Sequence, residues 1–182
     1  MKSRAHGALG AILFVLGACQ PSGPRASQGV VAGRPAVIPL TAGEKGWLDS
    51  SRFILLKVDP KLVGSEHFGL GSEDMAPRSA IPVHRHADTE ELLIVQRGHA
   101  AVLLSDSAYD AGPGGVIYIP RNTWVGVANH GPDTLTVFFI FPTPHFLDYM
   151  RSLTSPTPGG RTLSDDEYTR LNQAHAIEYR SP

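Results

Sequence analysis

Two histidines and a pair of glutamates lie close together near the middle of the sequence. His84 and His86 are separated by one residue, and Glu90 and Glu91 follow after a short polar break. Alternate side chains of a β-strand point to the same face, so both imidazoles would lie on one side of a sheet. Two neutral imidazoles and a carboxylate are a common ligand set for divalent transition metals. The spacing therefore predicts a metal site in which both histidines and one glutamate converge.

The segment from His84 to Gly98 resembles the first signature of the cupin family: histidine, any residue, histidine, a short gap, glutamate, six residues and glycine. Glu91 is the glutamate that fits, whereas Glu90 misses by one residue and would point to the other face of its strand. The resemblance implies an all-β fold, a cupin-type antiparallel β-barrel or jelly roll. It also implies a metal held by His84, His86 and Glu91.

The second cupin signature is only partly present. It reads glycine, five residues, proline, any residue, glycine, two residues, histidine, three residues and asparagine, and this chain offers Gly114, Pro120, Asn122, Val125 and Asn129 at those places. Asn122 in place of glycine is a mild change, because both residues tolerate a positive φ. Val125 in place of histidine removes the third imidazole that the family normally directs at the metal.

Two outcomes follow from this substitution. Either the remaining two histidines and Glu91 suffice to bind a metal, with open positions for water or substrate, or the site has lost its metal and binds a ligand directly. His67 on a neighbouring strand and His130 beside a turn are candidates for a replacement ligand. The resemblance implies a pocket lined by Val125, Asn129 and Tyr118. No further catalytic residue is assigned.

Short apolar segments separated by turn-forming residues make up most of the chain, a pattern typical of a closed or sandwiched all-β body. Strands are predicted, in chain order, at residues 37–40, 52–58, 65–70, 81–86, 91–95, 99–104, 116–119, 124–128 and 135–141. Residues 71–78 and 105–115 are predicted as loops, so the adjacent acids Glu73 and Asp74 are interpreted as solvated loop charges.

The periodicity becomes helical after residue 142. Thr143 and Pro144 predict a helix start, and apolar residues then recur at helical spacing up to Leu153. Ser164 and Glu167 form a capping box that predicts a second helix. Both helices are expected to pack on the barrel or on a second subunit.

The N-terminus has the pattern of an export signal. A basic start and an apolar segment at residues 8–16, too short to span a bilayer, end at Cys19. This segment resembles the lipobox of bacterial lipoproteins, which implies lipidation of Cys19 and a lipid-anchored protein of the cell envelope, in the periplasm or on the outer face. An ordinary secretory signal is the alternative. Cys19 is the single cysteine, so an intramolecular disulfide and a thiolate metal cluster are excluded.

The predicted organisation is a signal peptide at residues 1–19, a flexible tether at 20–36, the barrel at 37–142 and a helical extension at 143–182. The net charge of -1 and the lack of a basic groove argue against nucleic-acid binding. Contact with a membrane is expected only through the lipid anchor. The resemblance also suggests a homodimer.

The sequence leaves three functions open. The first is a metal-dependent enzyme, dioxygenase-like or isomerase-like, that acts on a small oxygenated or aromatic molecule with iron, manganese, zinc, nickel or copper. The second is a non-catalytic, envelope-tethered module that binds a small molecule after losing full metal coordination. A structural scaffold is a third possibility. The sequence lacks a nucleophile elbow, and lipidation would consume its only thiol, so a triad hydrolase is unsupported.

Overall fold

The computed structural model describes Gly33 and residues 35–180, so Cys19 and the rest of the predicted signal peptide lie outside the described residues. Eleven strands and two helices occur in this part of the chain. The strands are β1 (Glu44–Trp47), β2 (Arg52–Val58), β3 (Gly69–Met75), β4 (Ala80–His86), β5 (Glu91–Arg97), β6 (Ala100–Leu104), β7 (Ser107–Ala111), β8 (Val116–Ile119), β9 (Val125–Ala128), β10 (Leu135–Phe141) and β11 (Ile177–Tyr179). The helices are α1 (Phe146–Leu153) and α2 (Asp165–Ala174).

The strands form two antiparallel sheets. One has six strands in the order β1-β2-β3-β10-β5-β8, and the other has five in the order β11-β4-β9-β6-β7. Alternation along each strand sends one set of side chains into a shared interior, where apolar burial supplies most of the stabilisation. The predicted all-β architecture with C-terminal helices is confirmed. The core side chains from the two sheets include Ile54, Leu56, Met75, Leu93, Val95, Val102, Ile119, Val127, Leu135, Val137 and Phe139.

Strands with a strong apolar pattern match their predictions. The bounds of β2, β8 and β10 agree at both ends. In β8 the exposure alternates residue by residue, so Ile117 and Ile119 face the core while Val116 and Tyr118 face outward. Runs of apolar residues in the sequence therefore located these elements, whether one face or both faces of the strand are buried.

The predicted strand at residues 37–40 is wrong. Instead, the Nζ of Lys57 donates to the main-chain oxygens of Pro39, Leu40 and Ala42. Because these carbonyls are bound by an ammonium group, the segment does not need a neighbouring strand to accept from. The first strand begins at Glu44.

The predicted loop at residues 71–78 is also wrong over most of its length, because β3 occupies Gly69–Met75. This segment is a buried strand although its sequence is polar and rich in glycine. Gly71 is required by packing, since a Cβ there would lie 2.3 Å from the ring of Phe139. β3 also places the acidic side chain of Glu73 in the interior, which the loop interpretation did not anticipate.

The C-terminal segment completes the smaller sheet. β11 was not predicted from sequence, and it pairs with β4 so that Tyr179 lies opposite His84 and Ile177 opposite His86. The helix α1 begins at Phe146, two residues after the predicted Pro144. The capping box of Ser164 and Glu167 is confirmed at the start of α2. Neither described helix is long and apolar enough to cross a membrane.

Asn129 fixes the turn between β9 and β10. Its Nδ2 donates to the main-chain oxygens of Met75 and Asp133, and its Oδ1 accepts from the backbone N–H of Gly131. These bonds tie the turn to the end of β3. The side chain is buried, so no solvent would replace the bonds if it were removed.

We expect Asn129→Ala to lower the free energy of unfolding by about 2–3 kcal/mol, because it leaves buried main-chain groups unpaired. Urea denaturation measures the change. Asp133→Ala is the matched control, since it trims an exposed side chain in the same turn and spares all three bonds. Equal stability losses in the two variants would contradict this role of Asn129.

Candidate metal centre

The two histidines face the interior because β4 contains an irregularity. Ile81 pairs with Val127 and His84 pairs with Val125, so three steps along β4 match two steps along β9. An extra residue of this kind is a β-bulge, which reorients the side chains that follow it. Pro82 lies in the bulge, where its missing N–H is tolerated. From His84 onward, alternation then directs both imidazoles into the barrel.

The carboxylate of Glu91 comes from the opposite sheet. Glu91 opens β5, pairs with Ile119 of β8 and is buried. Its Oε2 lies 3.4 Å from Nε2 of His86. Glu90 instead accepts a hydrogen bond from the Tyr118 hydroxyl, which lies on the outer side of the sheet. The structure thus brings Glu91, rather than Glu90, to the histidines.

His84, His86 and Glu91 each present one ligand atom, and these atoms all lie within 4.8 Å of one another. Two ligands about 2.1 Å from an ion and separated by a tetrahedral angle would be about 3.4 Å apart. The separation between His86 and Glu91 matches that value. The three side chains therefore form a group that could hold a metal ion.

The surroundings of His86 also fit a metal. Its side chain is only 1% exposed, and neither ring nitrogen has a hydrogen-bond partner. The rings of Phe141 and Phe146 pack against it at centroid distances of 5.5 and 4.9 Å. A buried polar atom without a partner costs about 1–3 kcal/mol. Coordination of an ion by one nitrogen would remove part of this cost.

His84 is held as a neutral ligand. Its Nδ1 lies 2.8 Å from the carbonyl oxygen of Pro82, so the N–H on Nδ1 donates there and the lone pair of Nε2 stays free. Burial, followed by the nearby His86, lowers the pKa of His84. The imidazole is therefore uncharged at neutral pH, as a metal ligand must be.

Val125 stands at the position where the second cupin signature has a histidine. It is buried, lies opposite His84 in the sheet and lines the same interior space. Neither suggested replacement joins the cluster of His84, His86 and Glu91. His67 is exposed, and His130 is exposed beside the outer face of the five-stranded sheet.

The three metal-binding candidates open into a cavity of about 330 Å³. One part of its wall comes from the barrel and the other from the C-terminal segment. Apolar side chains make up most of the wall, and the polar groups include the histidines, Glu91, the pair of Arg52 and Glu73, and three tyrosines. The C-terminal lining residues are Phe146, Tyr149, Met150, Leu153, Arg161, Leu163, Asp165, Tyr168 and Tyr179.

Of the three predicted pocket residues, Val125 lines this cavity and the other two do not. Tyr118 pairs with Leu92 on the outer face of the six-stranded sheet and is 54% exposed. It follows from strand alternation that Tyr118 faces away from the interior, because Ile117 and Ile119 face inward. Asn129 is buried, but its side chain is hydrogen-bonded to Met75, Gly131 and Asp133 in and beside the turn between β9 and β10.

Two further groups line the cavity that the sequence interpretation missed. The first is Glu73 with Arg52, in which Nη1 of Arg52 lies 3.4 Å from Oε1 of Glu73. The second is a tyrosine cluster of Tyr149, Tyr168 and Tyr179, all in the segment expected only to pack. Three of the chain's five tyrosines lie in that segment, which was an available signal.

The tyrosine cluster covers one side of the metal-binding group. The hydroxyl of Tyr149 donates to Oδ1 of Asn172 and lies 3.1 Å from the hydroxyl of Tyr179. The ring of Tyr179 stacks on His84 at a centroid distance of 5.6 Å. Burial raises the pKa of Tyr149 and of Tyr179 well above the ordinary value, so both hydroxyls remain protonated and can donate hydrogen bonds.

Glu73 makes folding stability depend on pH. Burial raises its pKa from 4.5 to about 7, although Arg52 opposes the increase. The folded protein binds this proton more tightly than the unfolded chain does. Its contribution is therefore complete below pH 4.5 and is lost as the pH rises through about 7.

Between about pH 4.5 and 8, we expect wild-type protein to lose roughly 3 kcal/mol of unfolding free energy relative to Glu73→Gln, which cannot ionise. Urea denaturation at several pH values measures the difference. Glu66→Gln, at an exposed position, is the control and should follow the wild type. A constant difference between wild type and Glu73→Gln across this range would contradict the raised pKa.

Val125→His should tighten metal binding about ten-fold or more, because it adds an imidazole opposite His84. Competition with a chelator of known affinity measures the change. Val127→His is the matched control, since Val127 lies on the same face of β9 but pairs with Ile81. Equal affinities of the two variants would show that position 125 does not face the ion.

Comparison with known proteins agrees with this fold. Residues 71–141 match the family model described as Cupin domain. Curated proteins give no match. The segment contains β4, β5 and β9, which carry the metal-binding candidates and Val125.

Solved structures resemble the chain at low sequence identity. A sugar phosphate isomerase from a cupin superfamily, from Silicibacter pomeroyi, has a TM-score of 0.53 at 15% identity, over 59% of this chain and 75% of that chain. KdgF from Halomonas sp. has a TM-score of 0.50 at 14% identity, over 57% and 90%. A structure of oxalate oxidase has a TM-score of 0.51 at 18% identity, over 62% of each. These likenesses concern the fold alone. Residues 71–141 of this chain therefore form a cupin domain.

Proposed function

We propose that this protein is an exported, lipid-anchored cupin that binds a divalent transition metal through His84, His86 and Glu91 and acts on a small oxygenated or aromatic molecule. The observation that carries the proposal is the buried His86, whose ring nitrogens lack hydrogen-bond partners while Glu91 lies 3.4 Å away. The neutral state of His84 and its free Nε2 support the same conclusion.

The cavity limits the size of the molecule. A volume of about 330 Å³ is at the lower end of the range of ligand sites. At about 30 Å³ per water, this space corresponds to on the order of ten waters. A compact organic molecule fits such a space, and a polymer would reach it only with one end.

The chain's own residues supply orientation and exclusion of water. Val125 leaves one side of the histidine pair without a protein ligand, which gives a substrate oxygen room to approach. The rings of Phe141 and Phe146 pack against His86 and make its immediate surroundings apolar. A metal bound there would act as a Lewis acid on a substrate oxygen or on water.

The reaction class is proposed from chemistry rather than from fold. Metal sites with two histidines and one carboxylate suit dioxygenase-like chemistry as well as isomerisation of hydroxy-carbonyl compounds. The similar structures include both a sugar phosphate isomerase and an oxalate oxidase, so fold similarity does not choose between them.

A non-catalytic binding module is the second candidate. Val125 is the observation that favours it, since this residue leaves the cluster with three ligands. In that case the cavity would bind its ligand without metal and without turnover.

The anchoring part of the proposal rests on the N-terminal sequence. The apolar segment ending at Cys19 supports lipidation and attachment to the cell envelope. Labelling with radioactive palmitate during expression in a bacterial host tests it. The full-length chain should be labelled, and Cys19→Ala should not be.

We expect purified full-length protein, reconstituted in turn with iron, manganese, zinc, nickel and copper, to retain about one ion per chain for at least one metal. Elemental analysis measures the stoichiometry. His84→Ala should lower metal affinity strongly because a ligand is lost, whereas His67→Ala, at an exposed position, should not.

A wild-type protein that retains none of the five metals would overturn the metal proposal. A ligand found by thermal shift in such a protein would then favour the binding module. Circular dichroism of His84→Ala checks that the loss of metal does not reflect loss of the fold.

A further inference from the structure

A charged pair lies on the inner face of the six-stranded sheet, which is otherwise mostly apolar apart from Glu91. Arg52 begins β2 and Glu73 lies in the middle of β3, with Nη1 of Arg52 3.4 Å from Oε1 of Glu73. The side chains are 14% and 5% exposed. Both residues line the cavity that contains the metal-binding candidates. Placing charges there costs desolvation energy, and a hydrophobic pair would often be at least as stable.

Each member of the pair keeps one atom available. Nε of Arg52 donates to Oδ2 of Asp49 at 2.8 Å and Nη1 donates to Glu73, whereas Nη2 has no hydrogen bond to the described residues. The Oε2 of Glu73 likewise has no partner among them. The neighbours of Glu73 on either side in the sheet are Ile54 and Val137, which cannot bind it. The pair therefore has unused donor and acceptor capacity at the cavity wall.

We propose that Arg52 and Glu73 form a carboxylate-binding subsite, so that the substrate or ligand of the cavity is a small organic acid. This inference builds on the proposed function and names the substrate class. Arg52 supplies the permanent positive charge and a free N–H, and Glu73 in its protonated form donates a second hydrogen bond. Repulsion from Arg52 disfavours an ammonium group at this subsite.

The position of the subsite suits a ligand with two functional groups. His84 and His86 project from β4 of the five-stranded sheet, while Arg52 and Glu73 project from the six-stranded sheet. Both groups line one cavity of about 330 Å³. A small hydroxy or keto acid bound at the subsite would therefore keep its other oxygen on the side of the histidines.

The raised pKa of Glu73 determines how binding depends on pH. Burial is the main reason that its pKa is raised to about 7, and the neighbouring carboxylates act in the same direction. A bound carboxylate would raise this pKa further, so binding is coupled to uptake of one proton. The charged groups that act on Glu73 are Arg52 on β2, Asp49 in the turn before it, Asp74 on β3 and Glu91 on β5.

The test measures binding of lactate and benzoate to the full-length chain by calorimetry, with metal removed by a chelator. Lactamide and benzamide are the uncharged controls of nearly the same shape. The acids should bind and the amides should bind at least about ten-fold more weakly. Affinity for the acids should be constant below about pH 7 and fall about ten-fold per pH unit above it.

Three variants locate the effect. Arg52→Gln should weaken binding of the acids about ten-fold or more, because it removes the only positive charge of the pair. Glu73→Gln should abolish the pH dependence above pH 7 while retaining binding. Arg170→Gln removes a positive charge at an exposed position on α2 that does not line the cavity, and it should bind like the wild type.

The inference is overturned by any of three results: amides that bind as well as acids, an Arg52→Gln variant that binds like Arg170→Gln, or no binding of either acid up to about 50 mM. If Arg52→Gln does not fold by circular dichroism, the pH profile of Glu73→Gln decides, and a retained pH dependence overturns the proposal. Because no metal is present, the outcome is separate from that of the metal stoichiometry.

Discussion

The β-bulge at Pro82 and Val83 determines whether this barrel can contain a metal site. Without the extra residue, the register set by Ile81 and Val127 would place Val83 opposite Val125 and turn both histidines outward. The bulge shifts the register by one residue, so that His84 lies opposite Val125 and both histidines point inward. The carbonyl of Pro82 then accepts from His84 and leaves Nε2 free. One local irregularity therefore fixes both the direction and the tautomer of a metal-binding candidate.

Charged and apolar side chains occupy different parts of the barrel interior. The residues Met75, Val95, Ile117 and Leu135 fill the part of the core that does not line the cavity, and none of them is polar. The inward-facing charged residues, in contrast, all border the cavity. Since unpaired buried charge is costly, these inward-facing groups lie where a ligand or solvent reaches them. The buried Lys57 and Asp59, away from the cavity, are instead paired with main-chain oxygens and with Arg151. This separation makes the cavity the chemical centre of the molecule.

Sequence reasoning succeeded where the signal was local. The spacing from His84 to Gly98 and the apolar runs of β2, β8 and β10 define their elements without knowledge of distant residues. Sequence reasoning missed β7, an exposed strand that forms a hairpin with β6 inside the predicted loop at 105–115, where no apolar alternation marks the strand. Other failures concern strands that are held by a partner far away in sequence. The sequence of β3 resembles that of a polar loop. Its Gly71 leaves room for the ring of Phe139 from β10, and no local sequence pattern indicates this packing. β11 depends on pairing with β4, more than ninety residues earlier, and Glu73 and Tyr179 were missed for these reasons.

The electrostatics of the cavity connect the metal to the charged pair. The charged side chains that the two sheets contribute to the cavity wall are Arg52, Glu73 and Glu91. When Glu73 is protonated, the positive charge of Arg52 balances the negative charge of Glu91, so the metal-free site can hold a carboxylate on Arg52. A divalent cation would add positive charge and favour an anion further, whereas ionisation of Glu73 would oppose one. The raised pKa of about 7 thus lies where a small change in protonation decides whether the metal-free cavity is neutral or anionic. The tyrosine hydroxyls do not disturb this balance, because burial keeps Tyr149 and Tyr179 protonated. A carboxylate ligand is therefore the species whose charge matches the cavity when both the cation and the proton are present.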